Sequence, residues 1–265
     1  MSLDSNSPID KAAAALLALW EAGETIQSLP VQCQPVSKEQ GRQVQMKLCE
    51  LSGESIAGWK IAATSTGGQK HIGVDGPLEG PYLVNHVHPP NSIISMTGNH
   101  MAVAETEFAF RFGQALKSRN SPYGIDEILS AVKSLHPSLE LPDSRISDFS
   151  KAGAPTLLAD CACGKDWIVG TQTSEDWQTM NLAECPTKLI INGEVVTEGF
   201  GRDALGGPLE ALKWIVNKLS ARGITIEAGQ YVTTGVCGLP KPIQAGDRVT
   251  ADLGIFGSVS AVLMT

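Results

Sequence analysis

Apolar positions recur along the chain with two periods, and the change from one to the other organises it. Ser7 is a capping residue type, Pro8 takes the first helical position, and an apolar run reaches Trp20 before Gly23 stops it. That pattern predicts a first helix. A second is predicted from Ser37, with Gln40 as capping-box partner, through Met46 and Leu48 to about Leu51. After Gly53 the period shortens. Residues 56–62 read as a strand, and the Gly- and Pro-rich stretch from Thr66 to Pro90 as a long loop of the kind that carries function. Alternation returns over 102–112 as a strand, and the spacing of Ile128, Leu129, Val132 and Leu135 predicts an amphipathic helix over 125–135. A short strand is expected over 138–141. Asn192-Gly193 between β-branched runs predicts a two-residue hairpin of type I′. A helix over 208–220 opens at Gly207-Pro208 and closes at Gly223, and strands follow over 231–234, 248–253 and 258–264. Helices in front with β structure behind indicate an α+β fold rather than a parallel doubly wound sheet.

Composition narrows the classes of function. Among 265 residues 42% are apolar and 18% charged, a globular balance. The 28 acidic residues outnumber 20 basic ones for a net charge of −8, and no basic stripe is present, so nucleic acid is not an expected partner. The longest apolar run, Ala12 to Trp20, is about half a membrane span. Asp4 and Asp10 precede it where a signal peptide has basic residues. A cytoplasmic protein with no membrane partner is expected. The six cysteines include no CxxC pair and are expected as buried free thiols, with a soft-metal site through Cys161 and Cys163 with Cys185 or Cys237 as the alternative.

Chemistry concentrates in a few acidic and basic positions. In Ala104-Glu105-Thr106-Glu107-Phe108-Ala109-Phe110 the two glutamates share one strand face. They form either a solvent-facing acidic stripe or, given the apolar tail, a buried pair that needs a cation or a shared proton. Glu140, between Leu139 and Leu141, is either an edge residue or a third ligand. Three carboxylates suit a hard octahedral ion such as Mg²⁺ or Mn²⁺ with positions left for a bidentate oxygen ligand. Lys60, within Trp59-Lys60-Ile61, either snorkels to the surface or is buried as a cation or proton carrier. His86-Val87-His88 has zinc-compatible spacing, but two following prolines point to a loop. Neither a Gly-x-Ser-x-Gly elbow nor a Gly-x-Gly-x-x-Gly after a strand is present, so a serine hydrolase or a nicotinamide dehydrogenase has no support.

Taken in order, these segments resemble the hydratase/decarboxylase branch of the fumarylacetoacetate hydrolase superfamily, whose best-known type is 2-keto-4-pentenoate hydratase. The resemblance rests on Gly58-Trp59-Lys60-Ile61, Gly73-Val74-Asp75-Gly76-Pro77, Ala104-Glu105-Thr106-Glu107, Leu139-Glu140 with Asp143-Ser144-Arg145, Leu158-Ala159-Asp160 and Gly257-Ser258-Val259-Ser260-Ala261. It implies a mixed β-roll with flanking helices, divided into a helical N-terminal region over 1–54 and a catalytic domain over 55–265. It further implies a metal site of Glu105, Glu107 and Glu140 for Mg²⁺ or Mn²⁺, Lys60 as acid/base or substrate anchor, and substrate contacts at Asp160, Cys163 and Thr234. A homo-oligomer is also implied.

The implied activity is a lyase on a small 2-oxo or 2-hydroxydienoic acid, with hydratase leading and an oxalocrotonate-type decarboxylase second. Acylpyruvate hydrolysis and a non-catalytic 2-oxo acid binder follow. Two departures bear on that order. Pro77 is followed by Leu78 where the hydratases carry an acid, and Glu79 comes one residue later; in a loop it is free to turn inward, so it is taken as the partner of Lys60. Cys161 and Cys163 stand where the family commonly has an amide and a serine.

Overall fold

A computed structural model describes residues 7–265; Asp4 lies outside them. Helix α1, Pro8–Ala22, is capped by the Ser7 hydroxyl and closed by Gly23 at φ 64°. In α2, Lys38–Ser52, the Ser37 hydroxyl accepts the Gln40 N–H, while the Gln40 side chain takes the N–H of Val36, one residue before the expected capping-box partner. Ala12 and Leu16 of α1 and Val44 and Leu48 of α2 share a core with Ile146, Ala159 and Cys161, so this pair is docked on the rest of the chain. No helix among the described residues is long and apolar enough to cross a membrane.

Strand β1, Ile56–Ala62, follows the predicted bounds. The expected loop from Thr66 to Pro90 is instead largely regular: α3 is Thr66–His71, β2 is Leu78–Leu83 and β3 is Val87–His88. All six residues of β2 are buried. Its glycine misled the pattern: a Cβ on Gly80 would lie 2.1 Å from the carbonyl oxygen of Cys161, so Gly80 serves close packing and not a turn. After β4, Ile93–Ser95, and β5, Val103–Phe112, the predicted helix over 125–135 is cut short. Helix α4 is Ile125–Ala131 and β6 is Val132–Leu141. Val132 and Leu135 fit a helical period as well as a strand, and pairing with β5, from Glu105 opposite Glu140 to Phe110 opposite Leu135, decides for the strand.

Helix α5, Gly153–Ala159, and β7, Asp166–Val169, precede the hairpin of β8, Pro186–Ile191, and β9, Glu194–Phe200. Its turn has Asn192 at φ 53° and Gly193 at φ 86°, the positive pair that type I′ requires. Helix α6 is Pro208–Ala221, and the chain ends with β10, Tyr231–Thr233, β11, Lys241–Pro242, β12, Arg248–Asp252, and β13, Ser258–Met264. The fold is α+β.

The larger sheet runs β2-β1-β10-β5-β6-β7-β3, with β11 on β5; the smaller runs β4-β13-β12-β8-β9. In a flat sheet β2 and β7 would lie roughly 24 Å apart at about 4.8 Å per strand. Yet Tyr82 of β2 stacks on Trp167 of β7 with centroids 5.0 Å apart, so the sheet curls into a roll. Outward residues split into two cores. Trp59, Phe108, Phe110 and Leu135 meet Leu212 and Ile215 of α6, and Leu139, Leu141 and Ile168 meet Val249 and Val259 of the smaller sheet. Inward residues are Lys60, Leu78, Gly80, Tyr82, Glu105, Glu107, Ser138, Glu140, Trp167 and Thr233 by strand parity and register.

Gly80→Ala drives a methyl group against the Cys161 backbone and is expected to destabilise the protein by about 1–3 kcal/mol in denaturant titration, as overpacking does. An unchanged midpoint would mean that the 161–163 segment yields freely.

Candidate metal centre

Register brings three carboxylates to one place inside the roll. Glu105 and Glu107 share the inward face of β5, and Glu140 lies opposite Glu105 on β6. One oxygen from each lies within 4.8 Å of the others. Glu107 and Glu140 are wholly buried and Glu105 is partly exposed at the mouth. The two buried acids are each anchored by one oxygen. Glu107 Oε2 accepts the Thr233 hydroxyl and the Gly235 N–H, the latter at 3.1 Å. Glu140 Oε1 accepts the Tyr82 hydroxyl at 2.6 Å and pairs with the ammonium of Lys60. The remaining oxygens, Glu107 Oε1 and Glu140 Oε2, are buried with no hydrogen-bond partner. Buried acceptors left unpaired are costly unless a ligand completes them.

Electrostatics point the same way. Burial, then the charge of Glu140, pushes Glu105 up to about 8 and Glu107 well above the carboxylate range. Burial alone would lower the Lys60 ammonium, but Glu140, Glu105 and Glu107 outweigh it and raise its pKa, so Lys60 stays cationic. It is 2% exposed and does not snorkel. Three ionised carboxylates against one ammonium leave a formal −2, the charge that one divalent cation neutralises. An all-oxygen donor set with two unpartnered oxygens fits such a hard ion.

Glu79 does not join the site, and its expected partnership with Lys60 is corrected. It lies opposite Ile61, on the outward face, because β2 is a strand and not a loop. There its Oε1 accepts Arg42 Nε at 2.6 Å and Arg222 at 3.0 Å. Leu78 holds the inward position and packs with Ala162 and Cys163. Asp160 is likewise corrected as a substrate contact: it is fully buried against Arg145, with Ser144 Oγ at 2.7 Å. Arg145 also donates to the carbonyls of Asp160, Gly164 and Asp143. This clamp holds Cys161, Ala162 and Cys163 at φ 52°, 51° and 61°, a left-handed turn costing about 1–2 kcal/mol per residue. The turn lies against Lys60, since a Cβ on Gly164 would come 3.3 Å from Lys60 Cδ.

Cys163 is buried beside the site; burial first, then the Asp160 charge, pushes its thiol up to about 12, so it remains a neutral wall. The Thr234 hydroxyl is spent on the Phe108 carbonyl at 3.2 Å, and its neighbour Thr233 reaches Glu107 instead. Tyr82 and Thr233 were missed; inward parity along β2 and β10 is the signal that finds them. His86 and His88 both bind Asp166 Oδ1, at 3.2 and 2.8 Å. Burial opposes the ionised carboxylate, but these bonds prevail and hold it at about 2. All six cysteines are free and buried.

The family model described as Fumarylacetoacetate (FAA) hydrolase C-terminal matches residues 79–263, most of the chain and all three glutamates. The chain belongs to the fumarylacetoacetate hydrolase family. Within it, this protein is similar to the 2-hydroxyhexa-2,4-dienoate hydratase of Comamonas testosteroni, 30% identical over 217 residues covering 81% of each chain. It is 28% identical to a 2-keto-4-pentenoate hydratase of Burkholderia vietnamiensis over 97% of this chain and 98% of that one. Its fold matches 4-oxalocrotonate decarboxylase from Pseudomonas putida G7, solved with magnesium and adipate, with a TM-score of 0.84 at 24% identity over 97% of both chains.

In this family member, the raised Glu105 links cation binding to pH. Its carboxyl goes from an ordinary 4.5 to about 8 on folding, so the cation-free folded state keeps a proton that the unfolded chain releases. Without a cation, the Glu105 contribution to stability is lost as pH rises from about 4.5 to about 8. With Glu105 in the ligand set, cation affinity is expected to rise over the upper part of that window and binding at pH 7 to release protons. Calorimetry in two buffers of different ionisation enthalpy measures the release; an affinity flat between pH 6 and 8 contradicts it.

Proposed function

We propose that this protein is a divalent-cation-dependent hydro-lyase that hydrates a small 2-hydroxydienoic acid, the 2-keto-4-pentenoate type, with Mg²⁺ or Mn²⁺ at Glu105, Glu107 and Glu140. The observation that carries the reading is the pair of buried, unpartnered oxygens on Glu107 and Glu140 beside a buried lysine ammonium. The hydratase names of the relatives from Comamonas testosteroni and Burkholderia vietnamiensis supply the substrate class.

A cation there would supply Lewis-acid stabilisation of negative charge on a chelating 2-oxo carboxylate. The chain's own groups divide the remaining work. Glu105, Glu107 and Glu140 would hold the ion, with Thr233, Gly235 and Tyr82 fixing the two buried carboxylates. Lys60 holds a proton at Nζ, next to Glu140, and is the cation positioned to deliver it to the carbon skeleton. Leu78, Ala162 and Cys163 form an apolar wall that excludes bulk water from the reacting end.

A second reading, decarboxylation of a 2-oxo diacid, is favoured by one observation: the inward position of β2 that follows Pro77 is Leu78, and Glu79 faces away. The deciding assay supplies Mg²⁺ with 2-hydroxypenta-2,4-dienoate and 2-oxo-3-hexenedioate, following the dienoate ultraviolet band and CO₂ in parallel. Metal-dependent loss of the band without CO₂ is expected. Release of CO₂ from the diacid would move the assignment to decarboxylase, and silence on both would remove either lyase.

Two variants test the roles. Glu107→Gln is expected to weaken cation binding and abolish turnover; unaltered affinity by calorimetry would remove Glu107 from the ligand set. Lys60→Ala is expected to retain cation binding while turnover drops about 10²–10⁴-fold, the usual worth of a positioned proton carrier. Near-normal turnover would leave Lys60 a purely structural counter-ion.

A further inference from the structure

The inward positions of β2 are Leu78, Gly80 and Tyr82, opposite Ala62, Lys60 and Gly58 of β1. The first carries an apolar side chain and the second none, so the only polar side chain this strand presents to the interior is the phenol at the third. Gly58, opposite it, has no side chain to compete for that space. The ring is 1% exposed and stacks on Trp167 at 5.0 Å with planes 18° apart, which fixes its direction. Its hydroxyl donates to Glu140 Oε1 at 2.6 Å.

The same Oε1 takes the Lys60 ammonium, so one carboxylate oxygen collects two donors from two strands while Oε2 is buried with none. A carboxylate with all its donors on one side cannot turn over without abandoning them. We propose that Tyr82 is a positioning residue of the cation site, its hydroxyl locking Glu140 so that Oε2 faces the space shared with Glu105 and Glu107. Thr233 and Gly235 N–H do the corresponding work on Glu107, which leaves its Oε1 toward the same space. Each buried ligand therefore has an anchored oxygen and a presented one. Tyr82 does not act on substrate; it acts through Glu140.

The inference rests on the cation site proposed above, and the test separates the two. Tyr82→Phe keeps the ring and its stacking on Trp167 and deletes only the hydroxyl. Mg²⁺ affinity by calorimetry and Mn²⁺ affinity by electron paramagnetic resonance are compared with wild type. The expected loss is about 10-fold or more, the scale found when an outer partner of a metal ligand is removed, with the cation-free unfolding midpoint little changed. At saturating cation, activity should return toward wild type, which a general packing defect would not allow. Tyr82→Met, which also lacks a hydroxyl, carries the same expectation should the Phe variant fold poorly. Equal affinity in wild type and variant overturns the role of Tyr82 and leaves the cation site standing. Absence of cation binding in the wild type overturns the cation site and this inference with it.

Discussion

Three carboxylates held within 4.8 Å of one another where water is scarce impose the constraint around which the roll is built. Like charges at that separation repel by several kcal/mol at the effective dielectric of a protein interior. Left alone, the three side chains would swing apart or stay protonated. The surrounding sheet prevents the first outcome. Donors from β1, β2, β10 and the turn after β10 converge on Glu107 and Glu140. The curl of the sheet is thus part of the chemistry: only a roll brings the β1 and β2 side chains across to meet β6.

A second constraint sits behind Lys60. The left-handed turn Cys161–Cys163 is braced by Arg145, which ties the Asp160 carboxylate and three backbone carbonyls together. Trp20 of α1 stacks on that guanidinium, with Arg145 Cζ 4.2 Å from its ring centre. The N-terminal helices therefore cover the clamp that supports the turn, and the turn supports the lysine. Gly80 and Gly164 are small because the turn passes directly over them.

Local signals carried much of this. Capping residues marked α1 and α2, Asn192-Gly193 marked the hairpin, and period-two spacing put Glu105 and Glu107 on one face. The failures share a cause, which is that long-range pairing decided what local pattern left open. Gly80 and Pro81 look like breakers until β1 is seen beside them. Val132 and Leu135 satisfy a helix until β5 claims them. Asp160 has the look of a free acid because its partner, Arg145, stands fifteen residues back and is joined to it only by the folded turn. Parity along β2 turns Tyr82 inward, but its contact with Glu140 arises only because the sheet curls and brings β2 to β6.

The contrast between positions 78 and 79 shows how strict that geometry is. On a strand, moving an acid by one residue does not displace it slightly; it transfers it to the opposite face. Glu79 is consequently bound by Arg42 and Arg222 outside the roll, and the inward wall at Leu78 is apolar. The buried cations near that wall are already committed, Arg145 to Asp160 and Lys165 to Asp143. A carboxylate set against Leu78, Ala162 and Cys163 would lose its hydration with no cation among these three residues to replace it. A monoacid with a short hydrocarbon tail meets no such penalty. Position 78 therefore contributes an apolar surface, neither a proton-transfer group nor a carboxylate partner, and proton chemistry inside the roll falls to Lys60.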